Sequence, residues 1–156
     1  MTERVAGKYF EELEIGTVFK HVVRRTVTET DNLLFTVMTM NTQPLHLDEE
    51  FSKNSVAGTR LCNSIFTLGL VIGVGVSEVS GGTTVANLGF QEITFPRPVL
   101  IGDTLHAETE IKDKRPSESR PNAGIVHFEH RGYNQRGELV AKIARTALML
   151  KKPLAG

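Results

Sequence analysis

Hydrophobic and polar residues alternate over several long segments in the second half of the chain. These segments cover residues 104–114, 124–134 and 139–151, and a short polar stretch, residues 134–137, separates the last two. Alternation with a period of two is typical of half-buried strands, and a short glycine-containing stretch between two of them is typical of a hairpin. The pattern therefore predicts three long antiparallel strands.

Two further segments have the character of strands. Residues 83–95 follow a Gly81-Gly82 break, and residues 17–28 place Val and Arg at alternating positions. Paired glycines interrupt regular structure, so the segment after them is expected to begin a new element. Together with the three long strands, these segments predict a sheet of five strands.

A helical block is expected between the first strand and the rest. It comprises residues 29–40, a short turn that begins at Asp48, and residues 60–78. Between Ile65 and Val76 the apolar side chains fall on every side of a helical wheel, and a helix of that kind must be enclosed. The sheet is therefore expected to wrap around it. Three glycines and several β-branched residues lower the helix propensity, which leaves a buried strand pair as the alternative.

Composition narrows the class of protein. The chain has 156 residues and no repeat or linker, so residues 1–156 are expected to form a single domain. Lys and Arg number 18 and Asp and Glu also number 18, so no net charge attracts nucleic acid or an anionic membrane. The longest apolar run is too short to span a bilayer, and no leader peptide is expected. A single cysteine excludes an internal disulfide, which favours a cytoplasmic location.

The densest group of polar side chains lies between Asn41 and Asp48, where Pro44 disfavours the continuation of a helix. Asp48 precedes two glutamates, so it is expected to cap a short helix. His46 lies between two leucines. From the sequence alone, His46 is either a structural group or a catalytic base.

The other histidines and the cysteine do not indicate a metal or nucleophilic site. His127 and His130 fall on opposite faces of a strand, so they cannot bind one ion. His21 and His106 have no second ligand near them in the sequence. Cys62, at the start of the apolar helix, is expected to pack as a small apolar group. No metal site is expected.

Three segments carry a resemblance to a known family. The segment from Met40 to Asp48, M-N-T-Q-P-L-H-L-D, is similar without gaps to the motif G-D-x-N-P-x-H-x-D of the MaoC-like (R)-specific enoyl-CoA hydratases. F-P-R-P-V from Phe95 and G-D-T-L from Gly102 resemble the family's F-x-x-P-V-x-x-G-D-T-L, and L-C-N-S from Leu61 stands at the position of its I-A-H-G. The resemblance covers nearly the whole chain. It implies a single α+β hot-dog fold, in which an antiparallel sheet wraps around a long central helix.

The resemblance also implies an activity, the reversible addition of water across the double bond of an enoyl-CoA. Coenzyme A would be part of the substrate, and no other cofactor is expected. By position, Asn41 and His46 match the pair that holds and deprotonates the water, and the Ser64 N–H matches the donor to the thioester oxygen. A donor at the positive end of a helix stabilises the charge that develops on that oxygen. The family further implies a homodimer or larger assembly.

Asn41 departs from the family, which has Asp at this position. An amide can orient a water but cannot accept its proton, and a neutral side chain tolerates a substrate with its own carboxylate. Together with Gln43, Asn63-Ser64 and T-V-A-N-L-G from Thr84, Asn41 resembles the pattern of the single-domain subgroup associated with hydration of mesaconyl-CoA or itaconyl-CoA. The carboxylate of such a substrate is expected to pair with Arg60 or Arg97, because arginine offers a bidentate fork. The expected contacts with the acyl group also include Asn63 and Asn87.

A basic cluster surrounds the turn between two of the predicted strands. Its members can form a solvated edge or meet the phosphates of CoA. The residues expected to bind those phosphates are Lys114, Arg115 and Arg120.

Two other functions remain open. A hot-dog acyl-CoA thioesterase needs a carboxylate near the start of the central helix, and no Asp or Glu lies between Phe51 and Ser77. A non-catalytic acyl-CoA-binding or regulatory protein would account for the replacement of Asp by Asn41. Release of a thiol, or binding without any product, distinguishes these functions from a hydratase.

Overall fold

The computed structural model describes residues 7–153, in which one antiparallel sheet dominates. Its strands are β1 (Val18–Lys20), β2 (Arg25–Thr26), β3 (Thr84–Thr94), β4 (Thr104–Pro116), β5 (Ala123–Tyr133) and β6 (Leu139–Leu150). Their order is β1-β4-β5-β6-β3, and β2 pairs with β4 as well. The four long strands lie where the alternation and the Gly81-Gly82 break predicted them. β3 is an edge strand, with one side unpaired in the described part of the chain.

A short 3-10 helix, Phe10–Glu12, precedes β1, and the α-helices lie between β2 and β3. They are α1 (Glu29–Met38), α2 (Pro44–Leu47), α3 (Glu49–Ser52), α4 (Ser64–Gly73) and α5 (Val76–Val79). α4 packs against the inner face of β4, β5 and β6, so the predicted hot-dog arrangement of sheet and helix is confirmed. None of the helices within residues 7–153 is long and apolar enough to cross a membrane.

The central helix is shorter than predicted and only partly covered. The residues before Ser64 are extended, since the Cys62 N–H donates to the Val99 carbonyl at 2.9 Å, and a glycine-containing break separates α4 from α5. Val71 is buried against the sheet, whereas Ile65 is 54 % exposed. The prediction that this helix is enclosed on every side is therefore wrong for a single chain, because the sheet packs against only one side of the helix.

The predicted first strand, residues 17–28, is divided into β1 and β2. Between them the side chain of His21 turns inward, where Nδ1 lies 2.9 Å from Glu78 Oε2 and Nε2 lies 2.8 Å from Thr109 Oγ1. Thr109 Oγ1 lies 2.9 Å from His130 Nδ1. A chain of hydrogen-bonded polar groups thus runs from α5 across the inner face of the sheet.

His127 and His130 lie on opposite faces of β5, as predicted. His130 is buried on the inner face, whereas His127 Nδ1 lies 2.8 Å from Thr146 Oγ1 on the outer face. Within residues 7–153, no group of three or more His, Cys, Asp or Glu residues is arranged to hold a metal ion.

The helix approaches the sheet closely at Gly132. A Cβ atom added there would lie 2.3 Å from Cγ2 of Val71. We expect Gly132→Ala to lower the free energy of unfolding by roughly 1–3 kcal/mol, because the added methyl group pushes α4 away from the sheet. Urea denaturation measures the change. In the Val71→Ala protein, the Gly132→Ala substitution should lower the free energy of unfolding by less than it does in the wild type, because the side chain that the new methyl group meets is smaller. Additive effects of the two substitutions would contradict this explanation.

Candidate functional site

A cavity of about 500 Å³ opens at the N-terminal end of α4. Its wall is largely apolar, and none of the described residues that form it is Asp or Glu. The wall includes Leu45 and His46 from α2, Cys62 and Ser64 at the start of α4, and Phe95 and Arg97 after β3. The three segments that resemble the family's motifs therefore meet around one cavity.

A larger cavity, of about 680 Å³, lies at the opposite end of the sheet, beside Tyr9 and Lys151. Its wall contains no histidine and no residue of the three motif segments. The residues of the wall, and not the volume, indicate which cavity is functional, so the candidate site is the cavity at the start of α4.

His46 is fixed in one orientation by the backbone. Its Nδ1 lies 2.8 Å from the carbonyl oxygen of Leu61. A carbonyl oxygen only accepts hydrogen bonds, so in the neutral imidazole Nδ1 carries the proton and Nε2 carries the free lone pair. His46 is thereby prepared to accept a proton at Nε2.

The first turn of α4 provides a free hydrogen-bond donor. Asn63 caps the helix, because its Oδ1 accepts from the Ile65 N–H at 3.0 Å. The Ser64 N–H has no acceptor in the described part of the chain, and Ser64 lines the cavity. Asn63 itself is 3 % exposed. The structure gives Asn63 a capping role, and its predicted contact with substrate finds no support in this geometry.

Asn32 of α1 connects the two halves of the site. It is fully buried, its Nδ2 donates to the His46 carbonyl at 2.9 Å, and its Oδ1 accepts from the Asn63 N–H at 2.9 Å. One carboxamide therefore sets the position of His46 relative to the start of α4. Sequence reasoning missed Asn32, because a single Asn in a predicted helix gives no local signal of such a role.

Asn41 lies in a tight turn before α2. Its Oδ1 accepts from the Gln43 N–H at 3.0 Å, and its own N–H donates to the Thr36 carbonyl at 3.0 Å. Met40 has a φ of 56°, a conformation that favours glycine, and glycine is the residue of the family's motif at this position. The turn thus keeps a glycine-like backbone although the first two motif residues are replaced. Asn41 does not line the cavity, and its part in holding a water stays a prediction.

The two arginines predicted to bind a carboxylate have different surroundings. Arg60 Nη1 lies 2.6 Å from Glu29 Oε1, and Nε lies 2.8 Å from Glu49 Oε2. These hydrogen bonds raise the pKa of Arg60, and Glu29 is the larger cause. They also engage the guanidinium in ion pairs that connect α1 with α3. The side chain of Arg97 is 63 % exposed and lies 3.7 Å from Glu138. Of this pair, Arg97 is the one available to a ligand in the cavity.

Lys114 and Arg115 lie near the end of β4, and Arg120 lies in the turn between β4 and β5. Leu105, near the start of β4, packs in the apolar cluster that contains Val99 of the cavity wall. From position 105 to position 114, an extended strand covers about 30 Å at ~3.3 Å per residue. Within one chain these basic residues are poorly placed for a CoA molecule bound in the cavity, and the geometry does not support their predicted role.

Cys62 and Asn87 complete the set of predicted residues. Burial raises the pKa of the Cys62 thiol to about 11, so the thiol stays protonated near neutral pH and packs as predicted. Asn87 lies on β3 outside the cavity wall, and its Oδ1 accepts a hydrogen bond from Arg145 Nε at 3.0 Å. The capping role predicted for Asp48 is confirmed, since its Oδ1 accepts from the Phe51 N–H at 3.0 Å.

Comparison with known sequences places these observations in a family. Residues 10–133 match the model of the MaoC like domain. The chain is 31% identical to a mesaconyl-CoA hydratase of Cereibacter sphaeroides, over 96% of this chain and 43% of that protein. It is 30% identical to an (R)-specific enoyl-CoA hydratase of Rhodospirillum rubrum, over 66% of this chain and 69% of that protein. The chain thus spans less than half the length of the mesaconyl-CoA hydratase.

Solved structures show the same fold. A protein named monoamine oxidase regulatory protein from Archaeoglobus matches with a TM-score of 0.84 and 34% identity, over 96% of this chain and 100% of that one. A Mycobacterium tuberculosis protein with a double hot-dog fold matches with a TM-score of 0.85 and 24% identity, over 99% of this chain and 47% of that one. The chain therefore corresponds to one hot-dog unit.

Proposed function

The chain belongs to the MaoC-like domain family, and on that basis we propose that it acts as an enoyl-CoA hydratase, adding water reversibly across the double bond of an acyl-CoA. The observation that carries the proposal is a pair of groups at one cavity. The neutral imidazole of His46 offers Nε2 as an acceptor, and the Ser64 N–H, which has no acceptor among residues 7–153, is a donor at the start of a helix. The reaction needs a base for water and a donor for the thioester oxygen.

In the proposed reaction, His46 Nε2 takes a proton from a water molecule as the water oxygen attacks C3 of the enoyl group. The electron pair of the double bond moves toward the thioester, and negative charge develops on its oxygen. The Ser64 N–H donates to that oxygen, assisted by the positive end of α4. C2 then receives a proton from His46, which restores the neutral imidazole. The Asn41 amide would hold the water without accepting its proton.

We propose a short dicarboxylic acyl-CoA, such as mesaconyl-CoA or itaconyl-CoA, as substrate. The neutral Asn41 and a cavity wall without acidic residues in the described chain would not repel a second carboxylate. The similarity to a mesaconyl-CoA hydratase points in the same direction. CoA enters as part of the substrate, and Arg97 at the cavity is placed to meet either the carboxylate or a phosphate.

We further propose that a second copy of the chain covers the open side of the sheet and helix. β3 has a free edge, and apolar side chains beside it remain exposed. In the double hot-dog protein the second unit belongs to the same chain, and here a second copy of the chain would take the place of that unit. The exposed apolar residues of α4, α5, β3 and the loop after β3 include Ile65, Val76, Val85, Leu88, Phe90, Ile93 and Phe95.

The test is incubation of the purified protein with mesaconyl-CoA, itaconyl-CoA and crotonyl-CoA, with water addition confirmed by mass. Turnover of the dicarboxylic substrates supports the proposal, and turnover of crotonyl-CoA alone keeps the hydratase but removes the substrate class. Release of free thiol would identify a thioesterase. Tight binding without product would favour a regulatory protein, an alternative suggested by Asn41 and by the name of the Archaeoglobus relative.

Asn32→Ala is expected to lower kcat/KM for hydration by about 10- to 100-fold, because the His46 segment and the start of α4 lose their common tie. It should also lower the free energy of unfolding by roughly 1–3 kcal/mol, since the His46 carbonyl and the Asn63 N–H are left buried and unpaired. Steady-state kinetics and thermal unfolding measure both effects, with Asn54→Ala in the loop after α3 as the control. If the folded variant keeps its wild-type kcat/KM, Asn32 does not position the site.

A further inference from the structure

A buried arginine lies beside β3 without an acidic partner in the described part of the chain. Arg145 is 8 % exposed, and its guanidinium forms a hydrogen bond from Nε to Asn87 Oδ1 at 3.0 Å. Desolvation lowers the pKa of Arg145, and no described carboxylate offsets that effect. Because arginine stays protonated in proteins, this is a buried positive charge with Nη groups available to donate.

Arg145 lies on the inner face of β6, beneath the junction of α4 and α5. Side chains two positions apart share a face of a strand, so Ile143 and Ala147 flank it. Ile143 packs in the apolar cluster under α4, and Ala147 packs in the cluster that contains Val79 of α5. The ring centre of Phe128, on the neighbouring strand, lies 5.7 Å from Arg145 Cζ. Ile143 and Ala147 are apolar, and the Phe128 ring provides only a weak cation–π attraction, so the charge is incompletely compensated and favours binding of an anion.

The edge strand β3 connects this arginine with the catalytic cavity of a second copy. β3 begins after α5 and ends beside Phe95, which lines the cavity. Two copies that pair β3 with β3 about a two-fold axis align the strands antiparallel, so the end of one strand lies beside the beginning of the other. The cavity of each chain then faces the part of the other chain that carries Asn87 and Arg145.

We propose that Arg145, held by Asn87, binds the free carboxylate of an acyl group whose thioester lies in the cavity of a second copy; this rests on the proposed hydratase function. With Nε occupied by Asn87, Nη1 and Nη2 remain as a fork that matches the two oxygens of a carboxylate. The Asn87 Nδ2 is a further donor beside them. Arg60 is held by two glutamates and Arg97 is largely exposed, so neither offers a comparable buried charge.

The decisive comparison uses Arg145→Met with mesaconyl-CoA and with tiglyl-CoA, which has a methyl group in place of the carboxylate. We expect kcat/KM for mesaconyl-CoA to fall about 100-fold, because a buried ion pair is lost, while tiglyl-CoA turnover stays within about threefold. Lys142→Met removes a partly exposed cation from the same strand and should leave the ratio of the two substrates unchanged. An unchanged ratio in Arg145→Met, or an equal loss for both substrates, would overturn the assignment to Arg145.

Binding measured without turnover separates this assignment from the proposed function. Isothermal titration of His46→Ala and His46→Ala/Arg145→Met with both thioesters should show a loss of about 100-fold for mesaconyl-CoA alone. Absence of hydration by the wild-type chain would refute the hydratase, whereas equal mesaconyl-CoA affinity in the two variants would refute the role of Arg145. If dimers dissociate in Arg145→Met while affinity is unchanged, Arg145 instead pairs with an acidic group of the second copy.

A second variant covers the case in which Arg145→Met does not fold. Asn87→Asp places a carboxylate on Arg145 within the same chain, so the guanidinium no longer needs an external anion. We expect this variant to fold with an unchanged or higher melting temperature and to lose its preference for mesaconyl-CoA over tiglyl-CoA by at least about tenfold. Retention of the wild-type preference would count against the proposal.

Discussion

His46→Ala is expected to lower kcat for hydration of mesaconyl-CoA by roughly 10²- to 10⁴-fold, the usual contribution of a positioned general base. The structure gives the reason. His46 Nδ1 is bonded to the Leu61 carbonyl, so Nε2 is the nitrogen that can take the proton from water. Removal of the imidazole leaves the Ser64 N–H and the cavity intact, so the binding of the thioester should change much less than kcat.

His46→Asn is the sharper variant, because the amide Nδ2 can still donate to the Leu61 carbonyl but provides no base. Its kcat should fall as far as that of His46→Ala while its melting temperature stays closer to that of the wild type. His106→Ala, on the outer face of the sheet, is the matched control and should keep its wild-type kcat. A His46→Asn protein that retains more than about a tenth of wild-type kcat would show that another group takes the proton.

The stability of the fold is expected to decrease as the pH falls below about 6.5, because His130 is held neutral in the interior. Desolvation, followed by the nearby Arg145 and His21, lowers the pKa of His130 to about 3. The unfolded chain therefore binds the proton at a higher pH than the folded chain does. The resulting loss begins near the unfolded value of about 6.5 and continues toward the folded value, reaching about 2 kcal/mol at a pH of about 5.

His130→Asn isolates this contribution, because the amide can keep the hydrogen bond to Thr109 without titrating in this range. Urea denaturation of both proteins at several pH values from about 7.5 to about 4 measures the difference. We expect the wild type to lose stability relative to His130→Asn as the pH falls, with Glu78, His21 and Arg145 common to both proteins. Parallel curves for the two proteins would mean that His130 has the same pKa in the folded chain as in the unfolded chain.

An element is predicted accurately where its bounds depend on a local sequence pattern, and less accurately where they depend on contacts with residues far away in the chain. The limits of β4, β5 and β6 agree with the alternation to within two residues, because a strand with one buried face repeats its signal every second residue, and β3 begins next to the predicted Gly81-Gly82 break. The predicted first strand was divided because His21 bonds to Glu78 and Thr109, which lie 57 and 88 positions away. The central helix was shortened because the Cys62 N–H pairs with Val99, from a distant loop.

The candidate site divides in the same way. Motif segments indicated His46 and Ser64, and the structure brings both to one cavity. In the structure Asn63 caps α4 and Arg60 pairs with two glutamates, because each side chain lies close to these partners in the folded chain. Nothing in the sequence around Asn32 indicates that it joins His46 to the start of α4.

By itself the sequence determined the long strands of the sheet, the presence of a central helix and the segment that carries the proposed base, because periodicity and motif spacing are local properties of a chain. Tertiary structure alone decided which nitrogen of His46 is free, that Asn32 ties the site together, and that Arg145 is buried beside Asn87. The last pair is separated by 58 positions in the chain. Such contacts depend on how strands and helices pack, and neither partner carries a local pattern that identifies the other.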